Sequence, residues 1–195
     1  MSAPTGEAEP ATELWLVRHG ETEWSRDRKH TSVTDLPLTD SGVEVAHGLA
    51  ERLRETSFDL VLTSPRQRAR RTAELAGFAD AEVDKDLVEW DYGDYEGITT
   101  DEIRETVPGW TVWTHPSPGG ESPAAVSERL DRVVERVRGT VGRALVFGHG
   151  HALRALTARW LDLPVQEGRL FVLETAALSV LGQERETPAV LRWNV

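Results

Sequence analysis

Two histidine–glycine pairs, far apart in the chain, each follow a short run of apolar residues. The stretch 14–20 is LWLVRHG and the stretch 144–150 is ALVFGHG. An apolar run that ends at a turn residue is typical of a buried strand. Ligands of open α/β sheets bind at the carboxyl ends of the strands. If these two strands are neighbours in a parallel sheet, His19 and His149 share one pocket.

Other polar side chains follow further predicted strands. Residues 64–68, SPRQR, come after the apolar residues 60–62, and Glu89 comes at the end of a strand predicted over 83–88. Taken singly, each feature has an ordinary structural interpretation: a hydrogen-bonded histidine, a solvated basic helix face or a surface carboxylate. Together they predict one site with imidazole, guanidinium and carboxyl groups.

The elements that must position these residues alternate along the chain. Strands are predicted at 14–17, 59–63, 83–88 and 144–147. Two closing strands, which could form a hairpin, are predicted at 177–181 and 190–193. Helices are predicted to begin at Thr39 and Ser122, which are capping residues, and also over 66–76, 100–106 and 151–160. Residues 20–38 are expected to form a long loop, and 108–121 a pocket rim. This order predicts an α/β fold, a three-layer α/β/α sandwich with a mostly parallel sheet.

Composition limits the class of protein. The chain has 195 residues, no cysteine and a net charge of −11. One domain over 13–195 is expected, preceded by a disordered tail over 1–12 that is small, polar and acidic. An acidic surface argues against nucleic acid and anionic membranes as partners. No apolar run approaches the length of a membrane span or a signal peptide, so a cytoplasmic protein is expected.

The combination of motifs resembles the histidine phosphatase superfamily, in its phosphoglycerate mutase-like branch. The matching stretches are LVRHGETEWS at 16–25, TDLPLTDSG at 34–42, TSPRQRARRTA at 63–73, EWDYGDYEG at 89–97 and FGHGHALR at 147–154. Within the branch, the chain is most similar to sedoheptulose bisphosphatase-like enzymes and small bacterial acid phosphatases. The resemblance implies the same three-layer fold and a phosphatase.

The resemblance also implies roles for individual residues. His19 would be the nucleophile that becomes a phosphohistidine, and Glu89 the general acid. Arg18, Arg68 and His149, a hydrogen-bond donor that is expected to be cationic with phosphate bound, would stabilise the charge of the transferred phosphoryl group. No metal and no cofactor is implied. The matching substrate-binding positions are Ser25, His30, Thr31, Tyr92, Gly150, His151 and Arg154. The backbone N–H groups at Gly150 and His151 would point at the phosphate from a helix start.

The function that this predicts is a metal-independent phosphatase acting on small anionic phosphate monoesters, such as phosphorylated sugars or sugar bisphosphates. A cofactor-dependent phosphoglycerate mutase and a non-catalytic sensor of a phosphorylated ligand are the alternatives on the same fold. A metal site formed by His149, His151 and His19 is a further alternative. The closing strands could provide the edge of a homodimer.

Overall fold

The computed structural model describes residues 12–195, so the predicted tail over 1–12 lies, except for Thr12, outside the described residues. Within that range the chain forms six strands: β1 (Glu13–Arg18), β2 (Leu60–Thr63), β3 (Glu82–Val83), β4 (Arg143–Gly148), β5 (Leu178–Glu184) and β6 (Thr187–Arg192). The α-helices of the same range are α1 (Glu23–Arg26), α2 (Asp40–Leu53), α3 (Gln67–Leu75), α4 (Thr100–Thr106), α5 (Pro123–Arg138) and α6 (Gly150–Trp160).

All six strands join one sheet in the order β3-β2-β4-β1-β5-β6. β1 is parallel to β4, and β2 is parallel to both β3 and β4, whereas β5 and β6 form an antiparallel hairpin beside β1. The predicted mostly parallel sheet and the closing hairpin are therefore confirmed. Arg18 is paired with Gly148 in the β1–β4 register, so His19 and His149 emerge side by side. β6 is one of the two edge strands, and a homodimer along it stays a prediction.

The two faces of the sheet bury different side chains of the same strands. Leu14 and Leu16 of β1 pack in one core cluster with α5 and α6, and Trp15 and Val17 pack in a second cluster with α2 and α3. Alternate residues of a strand point to opposite faces, so a strand buried on both faces is apolar throughout. The helices thus cover both faces, which confirms the predicted three-layer α/β/α sandwich.

Capping residues set the starts of the long helices as predicted. The Thr39 hydroxyl accepts a hydrogen bond from the N–H of Gly42 at 3.0 Å at the start of α2. The Ser122 hydroxyl accepts one from the N–H of Ala125 at 3.2 Å at the start of α5. These bonds satisfy N–H groups that have no partner inside the helix.

The prediction of a strand over 83–88 is wrong beyond Val83. Only Glu82–Val83 pair with β2, and Lys85–Leu87 form a 3-10 turn. The Asp84 carboxylate accepts the N–H of Asp86 at 2.9 Å, which offers the backbone a local alternative to the sheet.

The loop predicted over 20–38 contains the short helix α1. The Thr22 hydroxyl accepts the N–H of Ser25 at 3.2 Å, and the Ser25 hydroxyl accepts the N–H of Thr22 at 2.8 Å. This reciprocal pair is a capping box with serine in place of the usual glutamate or glutamine, so the usual sequence pattern for a helix start is missing here.

None of the helices described between residues 12 and 195 is long and apolar enough to cross a membrane.

Candidate active site

A cavity of about 300 Å³ opens beside the carboxyl end of β1 and the start of α6. Three of the five predicted catalytic residues line it, namely Arg18, His19 and Glu89, and so do all seven predicted substrate-binding residues. Arg68 and His149 are fully buried directly behind His19. The remaining lining residues, which the sequence analysis missed, are Arg28, Lys29, Thr100 and Leu173.

His19 is held in one tautomer and one orientation. Its Nδ1 lies 2.7 Å from the carbonyl oxygen of Gly20, which can only accept a hydrogen bond, so Nδ1 carries the proton. Burial, together with the guanidinium groups of Arg68 and Arg18, lowers the pKa of His19 well below its ordinary value of 6.5. The imidazole is therefore neutral at pH 7, and the lone pair on Nε2 is available as a nucleophile.

The Gly20 carbonyl is itself fixed from two sides. The N–H of Gly20 donates to the Thr72 hydroxyl on α3 at 3.0 Å, and that hydroxyl donates to the carbonyl of Arg68 at 2.8 Å. On the other side the first turn of α2 presses against the loop, where a Cβ on Gly20 would lie 2.6 Å from the carbonyl oxygen of Gly42. Thr72 was not identified from the sequence, because its partner is distant in the chain.

Arg68 and His149 form a buried pair behind the nucleophile. Arg68 Nε donates to His149 Nδ1 at 3.2 Å, so the proton of a neutral His149 is on Nε2, which donates to the Ser64 hydroxyl at 2.7 Å. The other Arg68 nitrogens donate to the carbonyl groups of Thr31, Ser32 and Thr34. The His19 and His149 ring centroids are 5.2 Å apart.

The protein groups around His149 favour its neutral form, and the cationic form expected with bound phosphate stays a prediction. Burial first, and then the neighbouring Arg68, lowers the pKa of His149 well below 6.5. The positive charge at this end of the site is therefore carried by arginine, while the N–H group of the neutral His149 is bound to Ser64.

Arg18 presents a guanidinium group with free donors. Its Nη1 donates to the carbonyl of Leu173 at 2.6 Å, whereas its buried Nε has no hydrogen-bond partner among residues 12–195. A Cβ on Gly150 would lie 3.3 Å from Arg18 Cζ, so glycine at that position leaves room for the guanidinium. A buried donor without a partner is costly, and an anionic ligand would satisfy it.

Glu89 accepts three backbone hydrogen bonds. Its Oε1 accepts from the N–H groups of Trp90 at 2.8 Å and Ala152 at 2.7 Å, and its Oε2 accepts from His151 at 3.0 Å. The start of α6 thus binds this carboxylate, which corrects the expectation that the His151 N–H points at the phosphate. The N–H of Gly150, the first residue of the helix, has no partner among the described residues.

A buried ion pair fixes the segment that carries Glu89. Arg129 on α5 binds both carboxylate oxygens of Glu121, at 2.8 and 3.0 Å, and donates to the carbonyl groups of Asp86 and Val88. Glu121 also accepts the N–H of Asp91 at 3.0 Å. Nothing in the spacing of these residues along the sequence indicated this contact.

The cavity wall beyond the nucleophile is neutral and polar. The Tyr92 hydroxyl and His151 Nδ1 are hydrogen-bonded at 2.5 Å, and either atom can be the donor. His30 Nδ1 donates to the carbonyl of Ile98 at 2.8 Å, which leaves a lone pair on its Nε2. Burial raises the pKa of Tyr92 well above 10.0 and lowers the pKa of both histidines. The wall therefore presents a hydrogen-bond acceptor on His30, beside the nearly parallel ring of His151.

Cations surround the opening of the cavity. Arg154 lies 4.8 Å over the Trp113 ring and donates to the carbonyl groups of Gly168 and Arg169, both at 3.1 Å. Arg28 and Lys29 line the same cavity, and Glu89 is the one carboxylate among the lining residues that the structure describes. A site with this charge suits a small anion.

The remaining two predicted substrate contacts use their hydroxyl groups locally. Ser25 Oγ donates to the carbonyl of Thr22 at 3.0 Å, and Thr31 Oγ1 donates to the carbonyl of Lys29 at 3.1 Å.

Between residues 12 and 195, no group of three or more His, Cys, Asp and Glu side chains is arranged so that it could hold a metal ion.

Comparisons with known proteins agree with this geometry. The sequence model of the histidine phosphatase superfamily, branch 1, matches residues 14–195. An acid phosphatase of Mycobacterium tuberculosis is 45% identical over 175 residues, covering 88% of this chain and 86% of that protein. The sedoheptulose 1,7-bisphosphatase of Saccharomyces cerevisiae is 37% identical, covering 78% and 68%. A solved structure of an open reading frame of M. tuberculosis superposes with a TM-score of 0.90 at 41% identity, covering 94% and 97%.

Proposed function

Because this chain belongs to the histidine phosphatase superfamily, branch 1, and is a phosphatase, we propose that it hydrolyses small phosphate monoesters without a metal ion, through a phosphohistidine at His19. The observation that carries the proposal is the tautomer of His19. Its Nδ1–H is bound to the Gly20 carbonyl, and the free lone pair of Nε2 adjoins a cationic cavity. The names of two relatives, an acid phosphatase and a sugar bisphosphatase, support phosphorylated sugars as substrates.

In the first step His19 Nε2 attacks phosphorus and the bond from phosphorus to the ester oxygen breaks. The leaving oxygen takes a proton from the carboxyl group of Glu89 and departs as an alcohol. Arg18 and the buried Arg68 supply positive charge against the charge that develops on the phosphoryl oxygens, and the neutral His149, hydrogen-bonded to Arg68 and Ser64, holds the Arg68 guanidinium behind His19. The unpartnered Arg18 Nε supports this role, because a phosphate oxygen would complete its hydrogen bonds.

In the second step a water molecule attacks the phosphohistidine and gives its proton to the Glu89 carboxylate. The bond between nitrogen and phosphorus breaks, inorganic phosphate leaves, and both His19 and Glu89 return to their starting forms. Three backbone N–H groups hold Glu89 in place between the steps, and its Oε2, which accepts only one of them, has room for the proton.

A panel of phosphate esters assayed in EDTA tests the proposal. The wild-type protein should release phosphate from phosphorylated sugars in the presence of the chelator. His19→Ala should lower kcat/KM by about a thousandfold or more, as expected when a covalent nucleophile is removed. His47→Ala is the matched control, because His47 is an exposed histidine of α2 outside the cavity.

Three outcomes would contradict the proposal. They are loss of wild-type activity in EDTA, full activity of His19→Ala, and isomerisation of a phosphoglycerate without release of phosphate. The last result would indicate a mutase instead.

A further inference from the structure

Arg68 is held behind the nucleophile by the backbone of one short segment, residues 31–34. Its guanidinium is fully buried. Its Nη1 and Nη2 donate to three carbonyl oxygens of the segment, those of Thr31 at 3.2 Å, Ser32 at 3.3 Å and Thr34 at 3.0 Å. Because these oxygens fix the planar guanidinium, the conformation of the segment decides where the positive charge lies.

Glu96 binds the N–H groups of the same segment. Its carboxylate oxygens accept the N–H of Ser32, at 2.9 and 3.0 Å, and the N–H of Thr34, at 2.9 Å. Oε2 also accepts the Ser32 hydroxyl at 2.5 Å, so all four hydrogen bonds that the structure gives this carboxylate go to the segment 31–34. Burial alone would raise the pKa of Glu96, but these hydrogen bonds outweigh it and lower the pKa below its ordinary value of 4.5. Glu96 is therefore anionic at neutral pH.

One peptide group connects the cation and the anion. The unit between Thr31 and Ser32 directs its carbonyl oxygen to Arg68, at 3.2 Å, and its N–H to Glu96, at 2.9 Å. Each charge polarises this peptide group in the sense that strengthens its hydrogen bond to the other charge. Arg68 and Glu96 thus favour the same conformation of the segment 31–34.

Resting on the proposed function, we propose that Glu96 is a positioning residue for phosphoryl transfer, which sets the place of the Arg68 guanidinium through the segment 31–34. Glu96 is outside the lining of the cavity, so its effect reaches the reaction through this segment. The Ser32 hydroxyl contributes, since it donates to Glu96 and accepts the N–H of Tyr92 at 3.4 Å. Charge on the phosphoryl oxygens is stabilised by cations that are already in place, so a displaced Arg68 costs rate.

Glu96→Gln tests the proposal, because it keeps the size of the side chain and replaces one carboxylate oxygen with an NH2 group. That group faces an N–H or a hydroxyl donor, so a contact with the segment is lost. With p-nitrophenyl phosphate as substrate, kcat should fall about tenfold or more and KM should change less than about threefold, since the position of Arg68 matters most when charge develops.

Inhibition by vanadate distinguishes positioning from a general loss of folded protein. Vanadate adopts the geometry of the phosphoryl transition state, so its inhibition constant should rise in Glu96→Gln by about the factor that kcat loses. A constant of this kind does not depend on how much of the protein is folded. A role of Glu96 in stability alone would therefore leave it unchanged.

Two further variants accompany the test. Ser32→Ala removes the hydroxyl but keeps the backbone N–H groups, and should shift kcat and vanadate inhibition in the same direction by about two- to fivefold. Glu102→Ala is the matched control, because Glu102 likewise accepts an N–H and a hydroxyl, those of Thr99 at 2.7 and 2.8 Å, but these contacts cap α4. It should lower the melting temperature and leave both kinetic constants within about twofold of the wild type.

Unchanged kcat and vanadate inhibition in Glu96→Gln would overturn the proposal. A lower kcat without weaker vanadate inhibition would also overturn it, as would an equal effect of Glu102→Ala. If Glu96→Gln does not fold, Ser32→Ala decides between the same outcomes. Failure of the proposed function would look different, since the wild-type protein would then release no phosphate from p-nitrophenyl phosphate in EDTA.

Discussion

At the scale of single residues, the site depends on histidines that stay neutral. His19, His30, His149 and His151 have their pKa values lowered, in each case first by burial. In His19 and His30 one nitrogen donates to a backbone carbonyl, which decides what the other nitrogen can do, whereas both nitrogens of His149 have partners. His19 is left with a nucleophilic lone pair, and His30 with an acceptor. The residue types were evident from the sequence, but the tautomers follow from carbonyl and hydroxyl partners that only the fold supplies.

The neutral histidines also predict how stability depends on pH. In the unfolded chain a histidine takes up a proton near pH 6.5, whereas these four do so only at lower pH when folded. Below pH 6.5 the unfolded chain therefore binds more protons, and the free energy of unfolding falls as the pH falls. Each histidine contributes up to about 1.4 kcal/mol per pH unit until its folded pKa is reached.

Urea unfolding measured from about pH 7.5 to about pH 5.5 checks this slope. The wild-type protein should lose stability steadily on the acid side. His30→Gln, which keeps an amide donor for the Ile98 carbonyl, should show a shallower loss. His47→Gln changes an exposed histidine and should follow the wild type. Equal stability at both ends of the range would refute the assignment of buried neutral rings.

At the scale of elements, the start of α2 holds the loop that orients the nucleophile. A Cβ on Gly42 would collide with the carbonyl oxygen of Glu21, while a Cβ on Gly48, in the same helix, would meet nothing within 4 Å. The cap at Thr39 was predictable from local residue types. The contact of the helix with residues 20–21 was not, because it depends on where α2 packs against the sheet.

Alanine substitutions of these two glycines distinguish the effect of helix propensity from the effect of the close contact between Gly42 and Glu21. Gly42→Ala should destabilise the protein by about 1–3 kcal/mol and lower kcat at least about tenfold, since it displaces the carbonyl that holds His19. Gly48→Ala should raise stability by up to about 1 kcal/mol through helix propensity alone. Urea unfolding and phosphatase assays on both variants measure these changes. If Gly42→Ala were as stable and as active as Gly48→Ala, the close approach of Gly42 to Glu21 would not be needed to orient His19.

The difference between local residue patterns and contacts between distant residues also explains which elements could be predicted from the sequence. β1, β4 and the helices capped by Thr39 and Ser122 carry strong local patterns, and they were placed to within a residue or two. The stretch 83–88 has apolar residues at both ends and charged residues at 84–86, and it leaves the sheet after Val83 because Asp84 and the carbonyl contacts of Arg129 redirect it. Contacts of this kind join positions tens of residues apart and leave no periodic signal.

At the scale of the whole molecule, the order of the sheet brings the chemistry together. β4 lies between β1 and β2, so residues that follow these three strands, His149, His19 and Ser64, meet in one place. The sequence predicted this convergence because each strand ends in polar residues. Arg154 was expected at the cavity from the resemblance, but Arg28 and Lys29 were not, since a helix-ending turn brings them there.

The central claim is that the phosphoryl group passes through His19. Rapid mixing of the protein with p-nitrophenyl phosphate, an alkaline quench that preserves phosphohistidine and mass spectrometry of the peptides test it directly. The wild type should carry one phosphoryl group on His19 within the first turnover, and His19→Ala should carry none. Continued turnover with no phosphorylated peptide, or with the phosphoryl group on another residue, would contradict the account.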